Sequence, residues 1–187
     1  MKRIFFGILL EEKTKKELLE YSAQWPDMPC RRTDKENLHA TLLFYGNASD
    51  RELPEITRLA KETAGEQKSF FIELSEIAYG PAEKNPRMIW VTGKPSQKLI
   101  SLRNKLAQSL SASQKLKFMP DPRPFSLHIT LARLNEPEFK SLELEERPRI
   151  QESISLTIPV TSFALMENEP AKTGATYTIL ERFIFGN

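Results

Sequence analysis

The chain has 187 residues, with 27 Lys and Arg against 25 Asp and Glu, for a formal net charge of +2. That length supports one globular body with a sizeable core, and the near balance of charge excludes a protein that coats nucleic acid by bulk electrostatics. A single cysteine, Cys30, excludes an internal disulfide framework and fits a reducing compartment.

In chain order, Ile4 to Leu10 reads as a buried strand. Glu11-Glu12-Lys13 follows it at once with no small-residue cleavage site, which argues against a leader. Thr14 to Trp25 is predicted as a helix with Leu18, Leu19 and Ser22 at helical spacing, stopped by Pro26. Asp27 to Glu36 is a charged loop carrying Arg31, Arg32 and Lys35. Leu38 to Tyr45 reads as a strand ended by the Gly46-Asn47 turn signal. Ser49-x-x-Glu52 has the form of a capping box, opening a helix to Ala64 with Leu53, Ile56, Leu59 and Ala60 on one face. Ser69 to Ala78 is a third strand, and Gly80 to Pro86 is the candidate boundary between two halves.

The plan then recurs. Met88 to Thr92 is a strand, and Ser96 caps a helix to Ser111 with Leu99, Leu102, Leu106 and Leu110 in register. Lys115 to Pro124 is a basic, Pro-rich loop, Leu127 to Leu134 a strand, and Pro137 to Glu145 a short helix. Two long strands, Ile154 to Met166 and Ala175 to Phe185, close the chain. No stretch reaches the length of a membrane span, so a cytoplasmic location, without membrane contact, is expected.

Both histidines of the chain lie in one repeated phrase: Leu38-His39-Ala40-Thr41-Leu42 and, 89 residues on, Leu127-His128-Ile129-Thr130-Leu131. On a strand, alternate side chains share a face. His39 and Thr41 therefore point one way, and Leu38, Ala40, Leu42 and Phe44 the other, toward a core. His128 and Thr130 pair likewise against Leu127, Ile129 and Leu131. A lone strand histidine is more often a hydrogen-bonded structural residue; the repetition of the motif reverses that preference. By the same alternation, Arg133 falls on the face opposite His128, as part of a structural ion pair unless a bulge re-aims it. Tyr45 falls on the His39 face, where packing in the cleft is favoured over stacking on a base. Arg31, Arg32, Lys35, Lys115, Lys117 and Arg123 flank the motifs, either as a solvated surface or as guides for a nucleic-acid backbone.

These residues resemble the 2H phosphoesterase superfamily, named for two His-x-Thr-x motifs, and within it the RNA 2′,3′-cyclic phosphodiesterases also known as 2′-5′ RNA ligases. Asn37-Leu38-His39-Ala40-Thr41-Leu42-Leu43-Phe44-Tyr45-Gly46 is similar to the family's first motif, with Tyr45 where Leu is usual. Phe125-Ser126-Leu127-His128-Ile129-Thr130-Leu131-Ala132-Arg133 is similar to the second, with Leu127 where Pro is usual. The likeness extends from the opening strand to Tyr177-x-x-Leu180-x-x-Phe183. The resemblance implies an α+β bilobal fold: two antiparallel sheets related by a pseudo-two-fold, helices outside and a central cleft. The whole of 1–187 would be one domain, with lobes near 1–80 and 86–187, and a monomer is expected.

Opening a 2′,3′-cyclic phosphate with water needs one proton acceptor and one proton donor, and histidine serves as either near neutral pH. The residues leave open which histidine does which. The resemblance assigns His39 as donor to the departing 3′-oxygen and His128 as base toward water, leaving a 2′-phosphate. Thr41 and Thr130 would steady the developing negative charge. No cofactor or metal is expected, since two histidines and Cys30 have no recognisable ligand spacing. The expected substrate is RNA or a nucleotide ending in a 2′,3′-cyclic phosphate, with 2′-5′ ligation as the reverse reaction. The alternatives are another small cyclic phosphodiester or a 2′-5′ oligoadenylate as substrate, or a protein that binds RNA ends without turnover.

Overall fold

The computed structural model describes residues 1–81, 86–143, 145–171 and 174–186. The elements run β1 (Lys2–Leu9), α1 (Glu12–Ser22), β2 (Cys30–Arg32), β3 (His39–Ala48), α2 (Leu53–Gly65), β4 (Phe70–Gly80), β5 (Met88–Gly93), α3 (Gln97–Ala112), β6 (Leu127–Leu134), α4 (Glu136–Ser141), β7 (Gln151–Val160), β8 (Ser162–Ala171) and β9 (Gly174–Ile184). The strands pair antiparallel in the order β7-β4-β5-β6-β3-β1-β8-β9, with β2 laid along β6. The order is symmetric about the β6–β3 contact, and that contact is a single residue pair, Ala40 opposite Ile129. The two expected sheets thus meet edge to edge at the two motif strands.

Strand pairing does not follow a division of the chain at Gly80. β4, from the first half, pairs with β5 and β7; the β8–β9 hairpin, from the second half, pairs with β1. Each lobe is completed by strands from the other end of the chain. This also explains why the expected strand Ile154–Met166 is two. Val160 pairs with Phe70 in one lobe and Ser162 with Ile184 in the other, so the chain crosses between lobes at Thr161. Residues 82–85 of the expected boundary lie outside the described residues.

The predicted apolar stripes are buried in one continuous core. It holds Leu18 of α1, Ile56, Leu59 and Ala60 of α2, and Leu99, Leu102, Leu106 and Leu110 of α3, packed on Leu38, Ala40, Leu42, Leu127, Ile129 and Leu131. Phe6, fully buried against Phe163 and Phe183, contributes about 1.5–3 kcal/mol of transfer free energy. Ser96 caps α3 as expected, its hydroxyl accepting the Leu99 N–H at 3.3 Å. The helices thus cover one face of the sheet. On the other, the motif polar groups stand half-buried, backed near His39 by Phe5, Ala164 and Met166 with Leu9 and Tyr177.

Candidate active site

The pairing of Ala40 with Ile129 sets the site. Continued by one residue each way, an antiparallel register places His39 opposite Thr130 and Thr41 opposite His128, all four on the face that Ala40 and Ile129 do not use. In a regular ladder such diagonal histidines have Cβ atoms about 7–8 Å apart. All four line one cavity of about 550 Å³ between the lobes, within the usual size of a small-molecule site.

Each imidazole is oriented by the same local device. His39 Nδ1 lies 2.7 Å from the Asn37 carbonyl oxygen, and His128 Nδ1 lies 3.1 Å from that of Ser126. A carbonyl only accepts, so the proton sits on Nδ1 in both rings and Nε2 is left for chemistry. His39 Nε2 accepts the Thr41 hydroxyl at 3.2 Å when neutral. Asn37 is itself held from β9, its Oδ1 accepting the Tyr177 N–H at 3.2 Å. Burial, aided by the charges of His128 and Arg133, holds the His39 pKa down at about 4 against the bond to Asn37. Burial also lowers that of His128.

Three expectations fail for one physical reason. Both motif strands carry a bulge just after the threonine. β3 slips against β1 between Phe6↔Leu43 and Gly7↔Thr41, and β6 slips against β5 between Ile89↔Ala132 and Trp90↔Thr130. Leu42 and Leu43 are consequently both buried, as are Leu131 and Ala132, and the alternation reverses beyond them. The fifth residue after each histidine, Phe44 or Arg133, therefore lines the cavity with the motif residues. Arg133 joins no ion pair among the described residues; its guanidinium approaches the Met88 sulfur at 3.8 Å. Phe44 is 53% exposed rather than in the core. Tyr45 turns away to stack on Phe118 at 5.3 Å and to donate to Glu52 at 2.9 Å. Glu52 also takes the Lys117 N–H at 3.3 Å, so this contact anchors the loop before β6 to the start of α2.

The cavity has unlike walls. Around His39 they are aromatic: Phe5 lies 5.0 Å from the ring, Tyr177 5.0 Å, and Phe44 6.0 Å from Phe5. Beyond Thr130 on β6 they are cationic, with Arg31 paired opposite Arg133 across β2–β6 and Arg133 opposite Met88 across β6–β5, while His128 itself rests on the Trp90 ring. Among the described residues the lining includes seven arginines against two aspartates, Asp34 and Asp121. Of the expected basic guides, Arg31, Arg32 and Arg123 are among them. Lys35 instead pairs with Glu12, Lys115 with Glu55, and Lys117 offers its backbone to Glu52. Arg3, Arg87 and Arg103 were not singled out in the sequence, because none stands beside either His-x-Thr motif. No group of three or more His, Cys, Asp or Glu side chains among the described residues is placed to hold a metal ion.

A sheet seam bearing two His-x-Thr prongs over an arginine-lined cleft defines a class of phosphoesterase. Residues 23–171 match the 2′-5′ RNA ligase superfamily, and the chain belongs to that family, the 2H phosphoesterases. It is 29% identical over 191 residues to the RNA 2′,3′-cyclic phosphodiesterase of Thermus thermophilus, spanning 97% of this chain and 89% of that protein. To the enzyme of that name from Escherichia coli K12 it is 27% identical, over 97% and 95%. A solved protein of Thermus thermophilus superposes with a TM-score of 0.83 at 28% identity, covering 98% and 97% of the two chains. Escherichia coli LigT complexed with 3′-AMP gives 0.77 at 26%, covering 100% and 99%. No helix among the described residues is long and apolar enough to cross a membrane.

Proposed function

We propose that this protein hydrolyses the 2′,3′-cyclic phosphate ends of RNA or nucleotides to 2′-phosphates, using His39 and His128 as an acid–base pair and no metal. The observation that carries the reading is the Ala40–Ile129 register, which puts His39 and His128 on one cavity, joined there by Arg133 through the bulge in β6. The curated relatives bear the name of this activity, and LigT takes a nucleotide.

The step balances as follows. A water oxygen forms a bond to phosphorus while His128 Nε2 takes its proton. The bond from phosphorus to O3′ breaks on the far side, and O3′ takes the proton carried by His39 Nε2. The phosphate remains on O2′, and the pair ends with the proton on His128 instead of His39. Arg133, Thr41 and Thr130 face the non-bridging oxygens as charge collects there. The aromatic wall beside His39 suits the nucleoside, which places the ribose oxygen near the donor. With a ribose 5′-hydroxyl in place of water the same step makes a 2′-5′ link, and run backward it cleaves such a link to the cyclic phosphate.

Turnover of a 2′,3′-cyclic nucleotide and of an RNA with that end tests the reading. His128→Asn and His39→Asn each lower kcat by about 10² or more, with little effect on binding of the product. A panel containing 3′,5′-cyclic nucleotides and 2′-5′ oligoadenylate identifies another diester if the proposed substrates are inert. Binding without turnover of any of these compounds would leave a protein that only holds RNA ends.

A further inference from the structure

The two histidines share a motif but not a floor. The bulged registers align the repeats residue by residue: Gly7 stands opposite Thr41 on β1, and Trp90 stands opposite Thr130 on β5. At equivalent places, then, one repeat has no side chain and the other has the largest. His39 sits beside Gly7, where an added Cβ would lie 3.3 Å from its Cδ2. Its ring neighbours are Phe5, tilted by 36°, and Tyr177, perpendicular at 88°. His128 lies flat on the Trp90 indole, with centroids 4.1 Å apart and planes at 22°.

The indole is fixed in that pose. A Cβ at Gly80 would lie 2.3 Å from Trp90 Cδ2, so the neighbouring strand is bare where the ring passes. The Trp90 Nε1–H points at the Met88 sulfur, 3.2 Å away. The face of an aromatic ring is the negative part of its quadrupole and attracts a cation laid over it.

We propose that Trp90 is a positioning residue for this chemistry, holding the His128 ring flat and favouring positive charge on it, so that two sequence-identical prongs become unequal partners. The proposal rests on the acid–base reading above, in which His128 ends the step as the cation. Trp90 touches neither water nor phosphate in that scheme and acts through His128 alone. The other charges that share the cavity with His128 are His39 on β3, Arg133 on its own strand, Arg3 on β1, Arg31 and Arg32 on β2, Asp34 after β2, Arg87 before β5, Arg103 on α3 and the Asp121–Arg123 pair in the loop before β6. None of these is altered by a change at Trp90, so the sign of the effect belongs to the indole.

The test is a titration of the two histidine Cε1–H resonances in wild type, Trp90→Leu and Trp90→Phe, using the full chain. If the indole face stabilises the imidazolium, Trp90→Leu lowers the His128 midpoint by about 0.5–1.5 pH units and leaves that of His39 in place. Trp90→Phe, which keeps a weaker aromatic face, recovers part of the change. If Trp90 is merely an apolar cover, its truncation admits water and raises the His128 midpoint; a rise, or no change, overturns the proposal. A second measurement needs no change at Trp90. In Trp25→Phe, where Trp90 is the only remaining indole, emission falls as the contacting His128 becomes protonated, and His128→Asn abolishes that fall. Emission that does not respond to this protonation also overturns it. Neither titration requires turnover. An inactive protein with the expected shifts would sink the phosphodiesterase reading alone, and an active one without them would sink only the role of Trp90.

Discussion

The most consequential expectation concerns the proton on His39. Burial and the nearby charges of His128 and Arg133 bring its pKa from 6.5 to about 4, a preference of about 3 kcal/mol for the neutral ring at roughly 1.4 kcal/mol per pH unit. At pH 7 only about one free molecule in 10³ carries the proton that the proposed donor must deliver. For half of the complexes to carry it, a bound phosphate has to restore about 3 pH units, so the substrate's own negative charge arms the acid. Because the chain has two histidines, proton NMR of their Cε1–H signals, assigned with His128→Asn, reads this directly. The free protein should show His39 titrating near pH 4 and His128 also below 6.5. Adding a 2′-phosphorylated nucleotide should move the His39 midpoint upward by more than about 2 pH units. Both histidine shifts are downward, so kcat/KM, which reports the free enzyme, should peak below pH 6.5. The same shift costs stability in acid: the folded state resists protonation, so the contribution of His39 is complete above pH 6.5 and drains away as pH falls toward 4. A His39 midpoint at or above its ordinary value in the free protein, or one that ignores bound phosphate, would refute this account of the cleft.

Arg133→Gln should lower kcat/KM by about 10²–10³, as for loss of a donor to developing charge, and should raise the His39 midpoint because a neighbouring cation is gone; a variant with wild-type kinetics would remove Arg133 from the site. With seven arginines lining the cavity, KM for an RNA oligonucleotide should rise more steeply with salt than KM for a cyclic mononucleotide, and equal slopes would confine recognition to the terminal phosphate. A chelator should leave the rate unchanged, whereas loss restored by added divalent ion would put a metal into the step. Gly80→Ala places a methyl 2.3 Å from the Trp90 ring and should cost about 1–3 kcal/mol in urea unfolding; an unchanged midpoint would mean the indole moves freely.

Periodicity is a local property, and the elements it foretold were the ones that local chemistry decides. The stripe Leu99, Leu102, Leu106, Leu110 and the cap at Ser96 become α3 because the spacing that gathers those leucines on one face and the bond that satisfies the first turn both lie within the segment, whatever the face is then buried against. The motif strands and the common facing of His39 with Thr41 and His128 with Thr130 follow from a two-residue alternation. What alternation cannot carry is a count across strands. Phe44 and Arg133 were assigned to the wrong face because one extra residue in β3 and one in β6 reverse the phase, and that extra residue exists only relative to β1 and β5. A trace of it is present: Leu42-Leu43 and Leu131-Ala132 are adjacent apolar pairs inside otherwise alternating runs, which is how a bulge reads when both residues are buried.

The same limit hid the exchange of strands between lobes. β4 and β8 each look like the natural end of the half they follow, and only the partners they meet, β5 and β7 for one and β1 and β9 for the other, give them their places. The exchange has a consequence for the site. Trp90 stands against Gly80, supplied by β4 from the first half of the chain, and His39 is flanked by Tyr177, supplied by β9 from the second. Neither histidine therefore has its surroundings until strands from both halves are in place. Local unfolding that releases either exchanged strand must disturb the titration of the histidine it supports, while a motif strand left with its own half of the chain alone would keep its sequence and lose its chemistry.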